Sequence, residues 1–175
     1  MNRKVLLMGG TGAMGVYLIP ELLKLGYEVD VMTLDSIVSG QKRLRYIQKN
    51  AMDRNIMSDI LKNKYDAIVD FMVYTTLQFA ERFEMFLKNT EHYIFLSTYR
   101  VYANEEIPIR ETSPRLIDAS KDGMYLTMEE YGLFKARCEN ILFASKYQNW
   151  TIVRPAVTYS KYRFQLTTLE APVFV

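Results

Sequence analysis

The chain has 175 residues, 49% hydrophobic and 24% charged, the balance of a soluble globular protein long enough for one domain with its own core. A formal charge of +2, spread along the chain rather than banked, excludes a nucleic-acid footprint. A single cysteine, Cys138, excludes an intramolecular disulfide and suits a reducing compartment, and no apolar run approaches the length that spans a bilayer. In chain order, the first strand is the apolar run Val5 to Met8, which enters a turn with glycines at 9, 10, 12 and 15. These glycines break up what would be the apolar core of a signal peptide after Asn2-Arg3-Lys4, so a cytoplasmic protein is expected. An amphipathic helix, Met14 to Leu25, leaves the turn, and Glu28 to Thr33 is the second strand. A polar connection, Ser36 to Arg43, precedes a short third strand at Leu44 to Gln48 and a short helix at Ile56 to Leu61. Asp66 to Phe71 is a buried fourth strand, and Thr75 to Leu87 carries apolar residues at helical spacing. His92 to Ser97 is the fifth strand, Tyr102 to Gly123 a long loop, Glu129 to Lys146 the longest helix, and Trp150 to Arg154 a sixth strand stopped by Pro155. Strands alternating with helices predict an α/β fold, a doubly wound parallel sheet with right-handed crossovers, covered on both faces.

Strand, glycine turn and helix at the start of the chain make the grammar of a nucleotide-binding βαβ unit. Gly9 would let the chain turn sharply off the strand. Gly12 would let backbone N–H groups approach a pyrophosphate, and Gly15 would let the helix pack close against the sheet. The helix N-terminus then offers unpaired N–H groups and the positive end of its dipole to phosphates. Further along, Tyr131-Gly-Leu-Phe-Lys135 sets a phenol and an ammonium at i and i+4, on one helix face. A nearby ammonium favours the ionised phenol, which makes Tyr131 a usable proton donor or acceptor; the alternative is a solvated lysine beside a half-buried tyrosine. Ser97 and Thr98 end the fifth strand, where ligands of open α/β sheets bind, although such hydroxyls also serve strand-end turns. His92 is expected to be structural, Cys138 and the methionines to be packing, and no metal site is expected.

Together these stretches resemble the short-chain dehydrogenase/reductase superfamily, and more narrowly its extended branch, the NAD-dependent nucleotide-sugar epimerases and dehydratases. The branch's Thr-Gly-x-x-Gly-x-x-Gly is matched by Gly9, Gly10-Thr11-Gly12 and Gly15. Its Ser-Ser/Thr-x-x-Val-Tyr-Gly is matched by Ser97-Thr98-Tyr99-Arg100-Val101-Tyr102-Ala103, and its Arg-Pro after strand six by Arg154-Pro155. The resemblance implies a Rossmann-like dinucleotide-binding domain over residues 1–156, with 157–175 opening a C-terminal substrate region that is missing or truncated. It implies Thr98 as the catalytic hydroxyl and Tyr131 as general acid/base, with Lys135 holding the nicotinamide ribose and tuning the tyrosine. The cofactor would lie along Gly9, Thr11, Gly12, Ala13, Met14 and Gly15, between Ser97, Arg154 and Pro155 and the cleft-lining Phe71, Met72 and Val73. Asp53 matches the acidic residue that bonds the adenine amino group; it could equally cap the helix that follows. The loop from Tyr102 to Gly123 would border the substrate, a nucleotide-sugar, and the helices at 75–87 and 129–146 would pair two copies into a homodimer.

Several positions depart from the branch. The second strand ends at Thr33 where an acidic residue is usual, with Asp35 two positions later. Asp35 favours NAD, since its charge repels a 2′-phosphate, while Lys42 and Arg43 offer that phosphate a partner, so NADP stays open. Tyr99 and Arg100 stand where sugar dehydratases carry acids, and Ala103 replaces a glycine. Phe71 to Tyr74 are bulkier than the small residues common after strand four. A dinucleotide-binding module without catalysis is the rival function.

Overall fold

The computed structural model of the chain describes residues 3–158 together with the pairs 165–166 and 169–170. Strands β1 (Lys4–Met8), β2 (Glu28–Thr33), β3 (Leu44–Gln48), β4 (Tyr65–Asp70), β5 (Thr90–Leu96) and β6 (Trp150–Val153) form one sheet in the order β3-β2-β1-β4-β5-β6. Every neighbouring pair in it runs parallel. The order reverses between β1 and β4, and a crevice opens at the carboxyl ends of strands at such a switch point. The helices are α1 (Gly15–Lys24), α2 (Arg54–Leu61), α3 (Thr76–Ala80), α4 (Phe83–Lys88), α5 (Leu116–Ala119) and α6 (Tyr131–Phe143). β7 (Gln165–Leu166) and β8 (Leu169–Glu170) form a separate antiparallel pair. Most of 157–175, the expected start of a substrate region, lies outside the described residues.

Alternation along the strands divides the core in two. On β1, Leu6 and Met8 join a cluster with Met57 and Leu61 of α2, Phe79 of α3, Phe86 of α4 and Leu142 of α6. Val5 and Leu7 point the other way and join Ile19 and Leu23 of α1. The period of two along a strand sends neighbouring side chains to opposite faces. One face therefore carries α2, α3, α4 and α6, whereas the other carries α1. Beside α1, an apolar groove of about 430 Å³ runs over Ala67, Val69, Ile94, Leu96 and Val153, uncovered among the described residues. Among the described residues, α1 alone covers that face, beside β1, and the stretch over β4, β5 and β6 carries no second helix.

The helix expected over Thr75 to Leu87 is two helices. Arg82 is buried, and its side-chain Nε donates to the carbonyl oxygen of Gln78 at 2.6 Å. That oxygen is the one the Arg82 N–H would take in a continuous helix, so the N–H bonds Phe79 O instead and the turn tightens. The guanidinium lies 5.1 Å from the Tyr74 ring centroid, an attraction that repays part of its burial. The long helix begins at Tyr131 rather than Glu129, because the Glu130 carboxylate accepts from the N–H groups of Gly132 and Leu133 and caps it. The loop from Tyr102 to Gly123 contains α5 and is pinned by a bridge between Tyr102 and Arg115.

Candidate active site

The turn after β1 is built around missing side chains. Gly9 has φ +73°, a left-handed conformation that L side chains rarely adopt, and its N–H donates to Met32 O at 3.0 Å. A methyl on Gly15 would fall on the Gly10 carbonyl, 2.6 Å from its carbon. The close approach expected between Gly15 and the sheet is therefore made to the turn itself. Gly10 makes the approach to the sheet, since its Cβ would sit 2.8 Å from Leu7 Cβ and 2.9 Å from Val31 Cγ1. A methyl at Gly12 would meet only Gly9 O, at 3.5 Å, so its outer side faces open space. The N–H groups of Thr11, Ala13 and Met14 find no backbone acceptor among the described residues. No side chain caps α1, and no acidic residue stands in its first turn. Unpaired donors, an open approach and a positive dipole end fit a pyrophosphate.

At the end of β2, Thr11 and Thr33 hydroxyls donate to Asp35 Oδ2 at 2.9 and 3.0 Å. The carboxylate is thus fixed beside the glycine turn, with Oδ1 unused among the described residues. Arg43, the other potential partner of a 2′-phosphate, donates instead to Leu23 O at the end of α1. Asp53 caps α2, its Oδ1 accepting from Asn55 and Ile56 N–H, which leaves Oδ2 unused among the described residues.

At the end of β5 and the start of α6, the expected ammonium is bonded apart from the expected hydroxyl and phenol. Thr98 is buried and its Oγ1 accepts from the Arg100 N–H at 3.3 Å, capping a 3-10 turn at Tyr99–Val101. That turn is pressed onto the first turn of α6: a Cβ on Gly132 would lie 2.8 Å from Arg100 O. Tyr131, half-buried, is the first residue of α6, with the Arg100 guanidinium 5.8 Å from its ring centroid. Burial raises the phenol's pKa above the usual 10.0, Arg100 pulls it down and Glu130 adds to the rise. Net, the phenol is held protonated. Lys135 is buried one turn below and donates to Met72 O at 2.9 Å and Leu96 O at 2.6 Å. Its ammonium closes the gap where β4 and β5 part, rather than facing Tyr131; the cation over the ring is Arg100.

Beneath Lys135 lies Asp70, fully buried at the end of β4. It accepts from Tyr93 Oη at 2.6 Å, Tyr74 Oη at 3.0 Å and Met72 N–H at 2.9 Å. Burial raises the Asp70 pKa against these bonds and the Lys135 charge, and lowers that of Lys135, which Asp70 offsets. Cys138, one turn further, is pushed up to about 12 by burial and is inert packing. Asp70 is a functional candidate the motifs do not mark; its signal in the sequence is a carboxylate closing the apolar strand β4.

Ser97, Arg154 and Pro155 are committed to the fold. Ser97 Oγ, buried, donates to Glu139 Oε1 at 2.5 Å, and Arg154 reaches both Glu139 oxygens at 2.8 Å. Arg115 Nη1 joins Glu139 Oε2 at 3.1 Å, and Pro155 O accepts from Tyr99 N–H at 3.1 Å. Glu139 is fully buried, and this cluster welds β5, β6, α6 and the 102–115 loop behind Thr98. Of the cleft residues after β4, Phe71 packs into the α1-side core, Met72 Sδ lies 3.1 Å from where a Gly9 Cβ would stand, and Val73 is exposed.

No curated protein matches the chain. Among solved structures, the enzyme WbmG of Bordetella bronchiseptica, in complex with NAD and UDP, is 17% identical with TM-score 0.66, over 88% of this chain and 53% of that one. WbmH of the same organism, with NAD+, is 17% identical with TM-score 0.67, covering 88% and 56%. A UDP-galactose 4-epimerase is 20% identical with TM-score 0.64, covering 86% and 55%. The chain thus spans about half the length of these structures, and at such identities the likeness is one of fold, a Rossmann-like α/β sheet. Residues 5–171 match the family described as "NAD dependent epimerase/dehydratase family". With that match over nearly its whole length, the chain belongs to the NAD dependent epimerase/dehydratase family.

Proposed function

We propose that the chain carries the cofactor half of an NAD-dependent oxidoreductase of epimerase or dehydratase type acting on a nucleotide-sugar. Residues 1–156 form the dinucleotide-binding domain and 157–175 open the substrate region. The pyrophosphate would lie on Thr11, Gly12, Ala13 and Met14, and the adenosine ribose on Asp35. When bound, the nicotinamide supplies a hydride acceptor and donor beside the sugar carbon. Tyr131 exchanges the proton of the sugar hydroxyl through its Oη, and Thr98 holds the same oxygen. The observation that carries this reading is the joint between Thr98 and Tyr131. The packing of Arg100 O on Gly132 joins the turn that Thr98 caps to the first turn of α6, which begins with Tyr131, and this supports the pairing. The commitment of Arg43 to Leu23 O supports NAD over NADP.

The rival, a dinucleotide-binding module without turnover, draws on Lys135. Its ammonium is spent on two main-chain carbonyls, not on the phenol. Tyr131→Phe separates the two. The enzyme reading requires that the change removes hydride exchange, by at least about a hundred-fold, while NAD still raises the melting temperature. Equal exchange in both proteins overturns it. A homodimer in the cytoplasm, paired through 75–87 and 129–146, completes the proposal. Leu77 and Phe143 are exposed on α3 and α6, whereas Phe79 and Phe86 are consumed by the core.

A further inference from the structure

We propose that Arg100 receives a carboxylate on the substrate, so that the site prefers acidic sugars to neutral ones; this rests on the function proposed above and narrows its substrate class. Arg100 is held at the mouth of the site at three points. Its N–H bonds Thr98 Oγ1 at 3.3 Å, its carbonyl oxygen abuts Gly132, and its Nη2 meets Glu130 Oε1 at 2.6 Å. Glu130 is itself immobile, because its Oε2 accepts from Gly132 and Leu133 N–H at 2.6 and 3.3 Å. The guanidinium is therefore aimed rather than free, and it lies 5.8 Å from the centroid of the Tyr131 ring.

Of its five N–H donors, one is engaged among the described residues, on Glu130 Oε1. Nε and Nη1 have no acceptor among the described residues, and the side chain is 55% exposed. A planar fork with idle donors beside a proton-exchanging phenol matches a carboxylate in shape and charge. The other cation of the site cannot take that role: Lys135 is buried under the corner and bonded to Met72 O and Leu96 O. A neutral sugar would leave the fork to water. A carboxylate on a carbon near the reacting carbinol would gain charge-assisted hydrogen bonds while Tyr131 keeps its proton contact.

The test titrates the full chain, saturated with NAD, with UDP-glucuronate, UDP-glucose and UDP alone. Wild type should bind UDP-glucuronate about ten-fold tighter than UDP-glucose, the return on one charge-assisted bond. Arg100→Gln should bring the two sugars together with NAD affinity unchanged, and Arg100→Lys should keep part of the difference. Equal binding of both sugars by wild type overturns the proposal, as does a preference that survives in R100Q or the failure of every probe to bind. An equal loss for UDP alone in R100Q assigns the guanidinium to the diphosphate and also overturns it. An NAD response with indifferent sugars removes this inference alone; no NAD response removes the proposed function with it.

Discussion

Two alanine substitutions in the opening turn separate its duties toward the fold and toward the cofactor. At Gly15 a methyl would stand 2.6 Å from the Gly10 carbonyl carbon and 2.7 Å from its Cα. Carbon atoms at rest sit about 3.5–4.0 Å apart, so turn and helix must separate by about 1 Å. Overpacking of this kind costs about 1–3 kcal/mol. At about 2–4 °C per kcal/mol for a chain of this size, Gly15→Ala should melt about 2–12 °C lower. At Gly12 the methyl meets only Gly9 O at 3.5 Å, and no positive φ forbids it. Gly12→Ala should therefore be as stable as wild type or gain about 0.4–1 kcal/mol from the stiffer unfolded chain. The same methyl occupies the open side toward which the N–H groups of Thr11, Ala13 and Met14 are free. Losing one charge-assisted bond there is worth about 1.5–3 kcal/mol, roughly a ten- to hundred-fold weaker grip on NAD. Melting and urea curves without cofactor, followed by NAD titration, measure both terms. Equal destabilisation by the two changes, or wild-type NAD affinity in Gly12→Ala, refutes this account of the turn.

Glu139→Ala should lose about 3–5 kcal/mol in urea denaturation, because it leaves the guanidinium groups of Arg115 and Arg154 facing each other without their shared carboxylate; a loss under 1 kcal/mol on that scale contradicts the buried charge cluster. The acid limb of stability should run in part through Asp30. Burial pushes its carboxyl up, but bonds from Arg45, Tyr65 and Lys4 outweigh that and hold it below the usual 3.8. A carboxylate with a folded pKa below its unfolded one stabilises fully above the unfolded value, and the contribution fades as pH falls through the folded one. Asp30→Asn should lower the plateau at neutral pH and flatten the loss below about pH 4, read from urea midpoints across pH. An unchanged acid limb in that variant refutes the assignment.

What could be read from residue order was local. Short apolar runs after a glycine helix stop and a polar connection located β2 and β3 at Glu28–Thr33 and Leu44–Gln48. Glycine spacing located the turn, since a left-handed φ at Gly9 and a backbone contact at Gly15 both forbid a Cβ. The Tyr-x-x-x-Lys spacing put Tyr131 and Lys135 on one helix face, and no spacing reports what that face meets. The break between α3 and α4 was hidden for the same reason: the helical period runs through Arg82 undisturbed, and only its burial turns the side chain back onto Gln78 O.

Sequence alone therefore determined the alternation of strand and helix and the glycine turn, from patterns within a few residues, and the family, from short motifs spread along the chain. Tertiary structure decided which charges meet. Arg100 reaches the Tyr131 ring, Lys135 caps two strand ends above Asp70, and Glu139 gathers Ser97, Arg115 and Arg154, from positions up to 63 residues apart in the case of Lys135 and Met72. The direction a polar side chain takes inside a fold is set by the few partners that can satisfy it once water is gone, and those partners arrive only when the sheet and helices close.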